Sequence, residues 1–235
     1  MKVCALASGG KDSLYAAWLL ESTGWEVSEL LTLVPQEPDA WLFHTPNLPW
    51  VRLLAEAWGK PHRAHPVPGP GPEAEEEALS RALASLPGRG FDGISVGAIA
   101  SSFQWSRVQR VAEALGLRVF APLWRVDPER VVEEEIASGL SMRIVQVASE
   151  PLGPELLGRV LDPSLLSELR ARSRRGPAFN VAGEGGEYET LVTYAPGFSH
   201  RLEVLGSRAE RRGMLWSWTV TEARLVPVPP AGEAK

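Results

Sequence analysis

Ser8-Gly9-Gly10-Lys11-Asp12-Ser13 is the stretch whose reading decides the fold. It follows the apolar run Val3-Cys4-Ala5-Leu6-Ala7, the pattern of a buried parallel strand. It precedes Leu14-Tyr15-Ala16-Ala17-Trp18-Leu19-Leu20, in which apolar residues recur at helical spacing. Strand, glycine turn and helix form the context in which an anion sits on backbone N–H groups and a helix N-terminus. Gly9 and Gly10 let the main chain approach the anion with no Cβ in the way. Ser8 and Ser13 bring hydroxyl donors and Lys11 a point charge. Asp12 opens the helix, where the dipole favours a carboxylate, and is also placed to hold a phosphate-bound magnesium ion. A plain turn with Ser8 or Asp12 as N-cap is the alternative. Six specified positions in this context arise by chance on the order of once in ten million positions. The spacing is neither that of a Walker loop nor that of a dinucleotide fold.

Composition narrows the class. The chain has 235 residues, 44% of them apolar, enough for one large domain or two small ones. A net charge of −5 gives no basic face from which to argue nucleic-acid binding. No run of 18 apolar residues exists to span a membrane, and the N-terminus enters the first strand without the charged region of a leader, so a cytoplasmic chain is expected. A single cysteine excludes an internal disulfide and a cysteine-built zinc site.

Further along, strands are expected at residues 27–33, 62–67, 91–97 and 118–120, the second of these at a sheet edge because of its prolines. Helices are expected at 47–58, with Asn47 as cap, at 73–86 and from 101 or 102 to 115. This alternation predicts an α/β, doubly wound domain with a parallel sheet over 1–124. Its ligand site should lie at the carboxyl ends of the strands, where Ser8, residues 32–35 and residues 97–101 fall. A smaller α/β domain is expected over 125–235, with helices opening at Asp127-Pro128 and Asp162-Pro163 and strands at 141–148, 188–194, 201–205 and 215–226. Trp216 and Trp218 on the last strand read as core, with a homodimer edge as the alternative.

Three other stretches carry chemistry. Gly183-Glu184-Gly185-Gly186-Glu187-Tyr188-Glu189-Thr190 packs three carboxylates and three glycines into eight residues before an apolar strand. A solvated turn is the plain reading, but carboxylates this close repel unless they bind a cation or an amine. Phe43-His44-Thr45-Pro46-Asn47 lies in the long loop beyond the second strand, facing the same crevice as the glycine turn. Gly97-Ala98-Ile99-Ala100-Ser101 ends the fourth strand, with Gln104 and Arg107 following at helical spacing. Arg107 suits a phosphate or a carboxylate, and a solvated helix face is the alternative.

The glycine turn resembles the PP-loop, Ser-Gly-Gly-x-Asp-Ser, of the ATP pyrophosphatase superfamily, which implies a HUP-like nucleotide-binding fold. Together with 43–47, 97–101, Phe120-Ala121-Pro122-Leu123-Trp124, Leu157-Gly158-Arg159, Asp162 and 183–190, it resembles the diphthine–ammonia ligase branch of that superfamily over about residues 1–198. The resemblance implies that ATP, with Mg2+, ammonium and a carboxylate give an amide, AMP and pyrophosphate. It implies nucleotide binding by Ser8, Gly9, Gly10, Lys11, Asp12, Ser13, Gly97 and Ala98, with the metal at Asp12. Substrate binding falls to His44, Thr45, Asn47, Gln104, Arg107, Tyr188 and Thr190. Catalysis falls to Lys11 and to Glu184, Glu187 or Glu189, one of them the base that takes a proton from ammonium. The acceptor in eukaryotes and archaea is diphthine on elongation factor two; a bacterial member would amidate another carboxylate. Two readings stand beside this one, a tRNA-modifying PP-loop enzyme and a nucleotide sensor without turnover. The lack of a second cysteine argues against the sulfur chemistry of the first.

Overall fold

The computed structural model describes residues 1–35, 47–99 and 102–229, and for 102–104 the backbone only. Five parallel strands, β1 (Lys2–Leu6), β2 (Glu26–Pro35), β3 (His62–Val67), β4 (Gly93–Ser95) and β5 (Arg118–Phe120), lie in the order β3-β2-β1-β4-β5. Val3 sits opposite Val27 on one side and Gly93 on the other. The side chains of β1 alternate between two cores, as the two-residue period of a strand requires. Val3, Ala5 and Ala7 pack with Leu14 and Tyr15 of α1 (Lys11–Ser22) and with Val51 and Leu54 of α2 (Val51–Ala57). Cys4 and Leu6 pack with Leu79 of α3 (Pro72–Leu83) and Val111 of α4 (Ser102–Ala114). A sheet covered on both faces reads as a continuous apolar run, which is what 3–7 is. Burial pushes the Cys4 thiol up to about 12, with Glu29 adding to the rise and Arg63 and Arg89 drawing it back.

The chain leaves β1 toward β2 and β3, then returns past β1 to β4 and β5. The gap between the ends of β1 and β4 is therefore the topological switch point, where open α/β sheets take their ligands. Gly97, just beyond β4, makes that gap narrow. A Cβ there would fall 2.5 Å from the Asp12 carbonyl carbon and 2.5 Å from Ser13 N, so only glycine lets the first turn of α1 come this close.

The described residues from 127 onward form an antiparallel sheet with two α-helices. Asp127 caps α5 (Pro128–Ala137), accepting from Arg130 N at 2.9 Å, and Asp162 caps α6 (Pro163–Arg175), accepting from Leu165 N at 2.8 Å. Each is followed by a proline in the first turn, the pairing that marks both starts in the sequence. Strands β6 (Ser141–Val147), β7 (Tyr188–Tyr194), β8 (His200–Arg212) and β9 (Leu215–Pro227) are ordered β7-β6-β9-β8. β8 runs well past the expected 201–205, through a register shift at Gly206, as a ribbon with β9 whose far half is polar on both sides. Trp216 and Trp218 are half-buried against the core, and the Trp218 ring covers Gly158.

Asn47 stands just before the first helical turn, as expected, but its side chain points elsewhere. The turn at Leu48–Trp50 is 3-10 and the Asn47 side chain does not cap it. The Asn47 side chain is buried, 2% exposed, and reaches β9: Nδ2 donates to Trp218 O at 3.1 Å and Oδ1 accepts from Val220 N at 2.9 Å. With Trp50 Nε1 donating to Val220 O at 3.1 Å, it clamps the first unit to the second. Asn47→Ala leaves a buried N–H and a buried C=O without partners, and should lower stability by about 2–4 kcal/mol in urea denaturation. A loss under about 1 kcal/mol would show that the clamp carries little.

Candidate active site

One cavity of about 400 Å3 lies at the switch point, within the range of small-molecule sites. The glycine turn lines it through Ser8, Gly10, Lys11, Asp12 and Ser13, the end of β4 through Val96, Gly97, Ala98 and Ile99, and the second unit through residues 182–186 and Tyr188, Glu189 and Thr190. The Trp105 ring closes one wall and stacks on Trp124 with centroids 4.9 Å apart. Arg125, in the left-handed region at φ 62°, donates its N–H to Ile99 O at 2.8 Å and so ties the chain after Trp124 to this wall.

The turn is shaped by its own hydroxyls. Ser13 Oγ donates to Gly10 O at 3.1 Å and lies 3.2 Å from Ser8 Oγ, which accepts from Gly10 N at 3.3 Å. Gly9 takes φ +84°, with space enough only for a hydrogen beside Val51. The second unit grips the turn from the other side. Val192 N donates to Gly9 O at 2.8 Å, and Lys11 N, at the uncapped start of α1, donates to Thr190 Oγ1 at 3.0 Å.

Lys11 is buried, 3% exposed, and its ammonium lies among carboxyls. Nζ is 2.6 Å from Asp12 Oδ1 and 3.6 Å from Glu135 Oε2 on α5. Burial opposes the lysine's charge, but Asp12 and Glu135 outweigh it and hold the group above the ordinary lysine range. Burial lifts the Glu135 carboxyl well above the usual carboxylate range, with Lys11 drawing it back and Asp12 adding to the rise. Glu189, half-buried at the cavity wall, is pushed up to about 8 by burial first, with Asp12 and Glu184 adding and Lys11 opposing.

The carboxylates of 184–189 part company. Glu187 turns back on its own loop, Oε1 accepting from Asn180 N at 2.9 Å and Oε2 from Gly185 N at 2.8 Å. Glu184 and Glu189 face the cavity. Tyr188 is buried, its hydroxyl donating to Val181 O at 2.9 Å. Gly183, at φ +80°, leaves no room for a Cβ over Tyr188 O, 2.9 Å away. Among the described residues no group of three His, Cys, Asp or Glu is placed to hold a metal ion. Asp12, 28% exposed at the cavity, fits a divalent ion that arrives with most of its oxygen ligands on a phosphate chain.

Residues 1–119 match the model of the diphthamide synthase N-terminal domain, and residues 127–224 match that of the diphthamide synthase C-terminal domain. The chain belongs to the diphthamide synthase family. The diphthine–ammonia ligase of Mus musculus is 33% identical over 231 residues, 89% of this chain and 85% of the relative. That of Danio rerio is 33% identical over 220 residues, 86% of each chain, and that of Homo sapiens 32% identical over 223 residues, 87% of this chain and 83% of the relative. Both family models fall on the units seen here: the first covers the parallel sheet and the second the antiparallel sheet through most of β9.

Set against this diphthamide synthase frame, most sequence-predicted residues converge. Ser8, Gly10, Lys11, Asp12, Ser13, Gly97, Ala98, Glu184, Tyr188, Glu189 and Thr190 meet at the cavity, while Gly9 turns toward Val51 behind it. Asn47 does not, as described above. Arg107 finds carboxylates, though on α3 rather than at the cavity: Nη1 donates to Glu76 at 3.1 Å and Nη2 lies 3.8 Å from Glu73. His44 and Thr45 lie outside the described residues, as does the Gln104 side chain. Sequence reading passed over Glu135 and Trp105. Glu135 left a signal: it falls four residues after Val131 and three after Val132, on the apolar stripe of α5.

Gly97→Ala should displace the start of α1 and destabilise the fold by about 3 kcal/mol, at the upper end for overpacking. Gly88→Ala, whose Cβ meets nothing within 4 Å, should shift stability by under about 0.5 kcal/mol. Equal denaturation midpoints for the two variants would show that the close approach at Gly97 is not needed.

Proposed function

We propose that this chain joins ammonium to a carboxylate at the expense of ATP, through an acyl-adenylate, releasing AMP and pyrophosphate. The observation that carries this reading is the meeting of two chemistries in one cavity. A phosphate-shaped turn, Ser8 to Ser13, faces a raised carboxyl, Glu189, one strand residue from the threonine that binds the turn. The names of the curated relatives, diphthine–ammonia ligase, supply the substrate class. The acceptor is then a diphthine carboxylate on elongation factor two, or another carboxylate in a host without diphthine.

In this reading the turn's N–H groups, the hydroxyls of Ser8 and Ser13, and Lys11 hold the β,γ-diphosphate. Gly97 and Ala98 leave room for the nucleotide beside α1. Asp12 would hold a magnesium ion that arrives with the nucleotide, and the ion would supply positive charge for the leaving pyrophosphate. The acceptor oxygen attacks the α-phosphorus, and the bond to the bridging oxygen of pyrophosphate breaks. Ammonium gives a proton to Glu189, the ammonia formed attacks the acyl carbon and expels AMP, and the surplus proton on nitrogen passes to solvent as the amide forms. A carboxyl near 8 suits this step better than an ordinary one, because a weaker acid makes a stronger base toward ammonium. The wall of Trp105 and Trp124 limits water at the adenylate. Glu187 holds the loop and Tyr188 its floor, which leaves Glu189, with Glu184 beside it, for the proton.

Glu189 acts only as a carboxylate, so amide formation should rise with pH through about 8 and level off above it. Glu189→Gln should remove that limb and slow amide formation about a hundredfold or more, while ATP–pyrophosphate exchange continues. Retention of wild-type amide formation by Glu189→Gln would rule the role out. Ser8→Ala and Asp12→Ala should both abolish ATP–pyrophosphate exchange, and near-wild-type exchange in both would sink the assignment of the turn.

A further inference from the structure

The apolar face of α5 carries a glutamate that packing does not explain. Val131, Val132 and Glu135 share that face, and Glu135 is 0% exposed. Among the described residues neither of its carboxyl oxygens has a hydrogen-bond partner within bonding distance and angle. Lys11 Nζ, 3.6 Å away, is too far for a hydrogen bond and close enough for a strong charge contact. A buried carboxyl in this state is costly, and an apolar residue of similar volume would leave the fold at least as stable. The reason for the residue therefore lies with Lys11.

Lys11 stands between two carboxyls of different character. Asp12, 2.6 Å from Nζ, has a side chain 28% exposed. When Lys11 turns to another partner, Asp12 keeps water or a metal ion. Glu135 has neither. Drawing Nζ toward an anion in the turn leaves a fully buried carboxyl with the Asp12 carboxyl, a group of its own kind, as its remaining polar neighbour, and that penalty weakens the anion's binding. Glu135 thus resists the movement of Lys11 toward a phosphate, while the short contact with Asp12 already fixes the lysine's direction. We propose that Glu135 is a positioning residue that holds Lys11 back, keeping the turn's grip on diphosphate weak enough for pyrophosphate to leave. This rests on the reading that the turn holds the nucleotide's diphosphate.

The test is calorimetric titration of the whole chain with magnesium and inorganic pyrophosphate. Glu135→Met and Glu135→Gln should each bind pyrophosphate about tenfold more tightly than wild type, and Glu135→Met should melt no lower than wild type. In a Lys11→Met background, Glu135→Met should bring no tightening, because the effect passes through the lysine. A merely structural role predicts the opposite sign, weaker binding that follows loss of stability. Unchanged or weaker binding in the Glu135 variants overturns the inference, as does tightening that persists without Lys11. Glu135→Gln keeps the side chain's shape and decides the matter should the methionine variant fail to fold. A wild-type chain that does not bind pyrophosphate, or a Lys11→Met chain that binds it as wild type does, would instead remove the assignment of the turn.

Discussion

The site depends on a pair of hydrogen bonds that cross from one unit to the other. Val192 N donates to Gly9 O, and Lys11 N donates to Thr190 Oγ1. The first fixes a peptide of the glycine turn at the edge of β7. The second caps α1 with a hydroxyl from another part of the chain, since no residue of the turn caps it. An antiparallel edge strand normally presents open backbone groups. Here that edge is used to set the conformation of a loop nearly two hundred residues earlier in the sequence. The two units share a core through the same seam, with Val51, Leu54, Leu191 and Val192 in one cluster. Neither the loop nor the cavity wall facing it has its shape without the other.

Around that seam the charges are unequal. One buried lysine faces Asp12, Glu135 and, across the cavity, Glu189. Carboxyls that outnumber their cation in a dry place cannot all carry full charge comfortably, and their proton affinities separate. For Glu189 burial does most of this, and the Asp12 and Glu184 carboxyls add to it, so that its carboxyl is pushed up to about 8. A cavity rich in carboxyls also suits a small cation better than a neutral molecule, which agrees with ammonium as a substrate.

Much of this was legible in the sequence, and the parts that were not share a cause. The turn, the parallel order of the first sheet and both Asp-Pro helix starts are local signals, carried by residues within a few positions of each other. The helical stretch expected at 47–58 does begin after Asn47, but the side chain that looks like its cap is engaged elsewhere. Its partners, Trp218 and Val220, lie more than 170 residues away and send no local signal. Glu187 was grouped with its neighbours because spacing alone does not tell a carboxylate that faces a ligand from one that faces its own loop. Glu135 was hidden in a run of three glutamates, where charge drew the eye and helical phase held the information. The far half of β8 alternates too little to stand out, since both of its faces meet water.

Cys4 lies in the middle strand of the parallel sheet, with its thiol pushed up to about 12 and no surface exposed. A thiol in that state carries almost no thiolate, the form that reacts with oxidants, alkylating reagents or a second sulfur. As the only cysteine of the chain, it leaves the folded protein silent to thiol reagents. Any cysteine introduced at the surface would then be the sole reactive handle, so a dye or spin label could be attached at a chosen point of the loop or the ribbon without first removing a native residue.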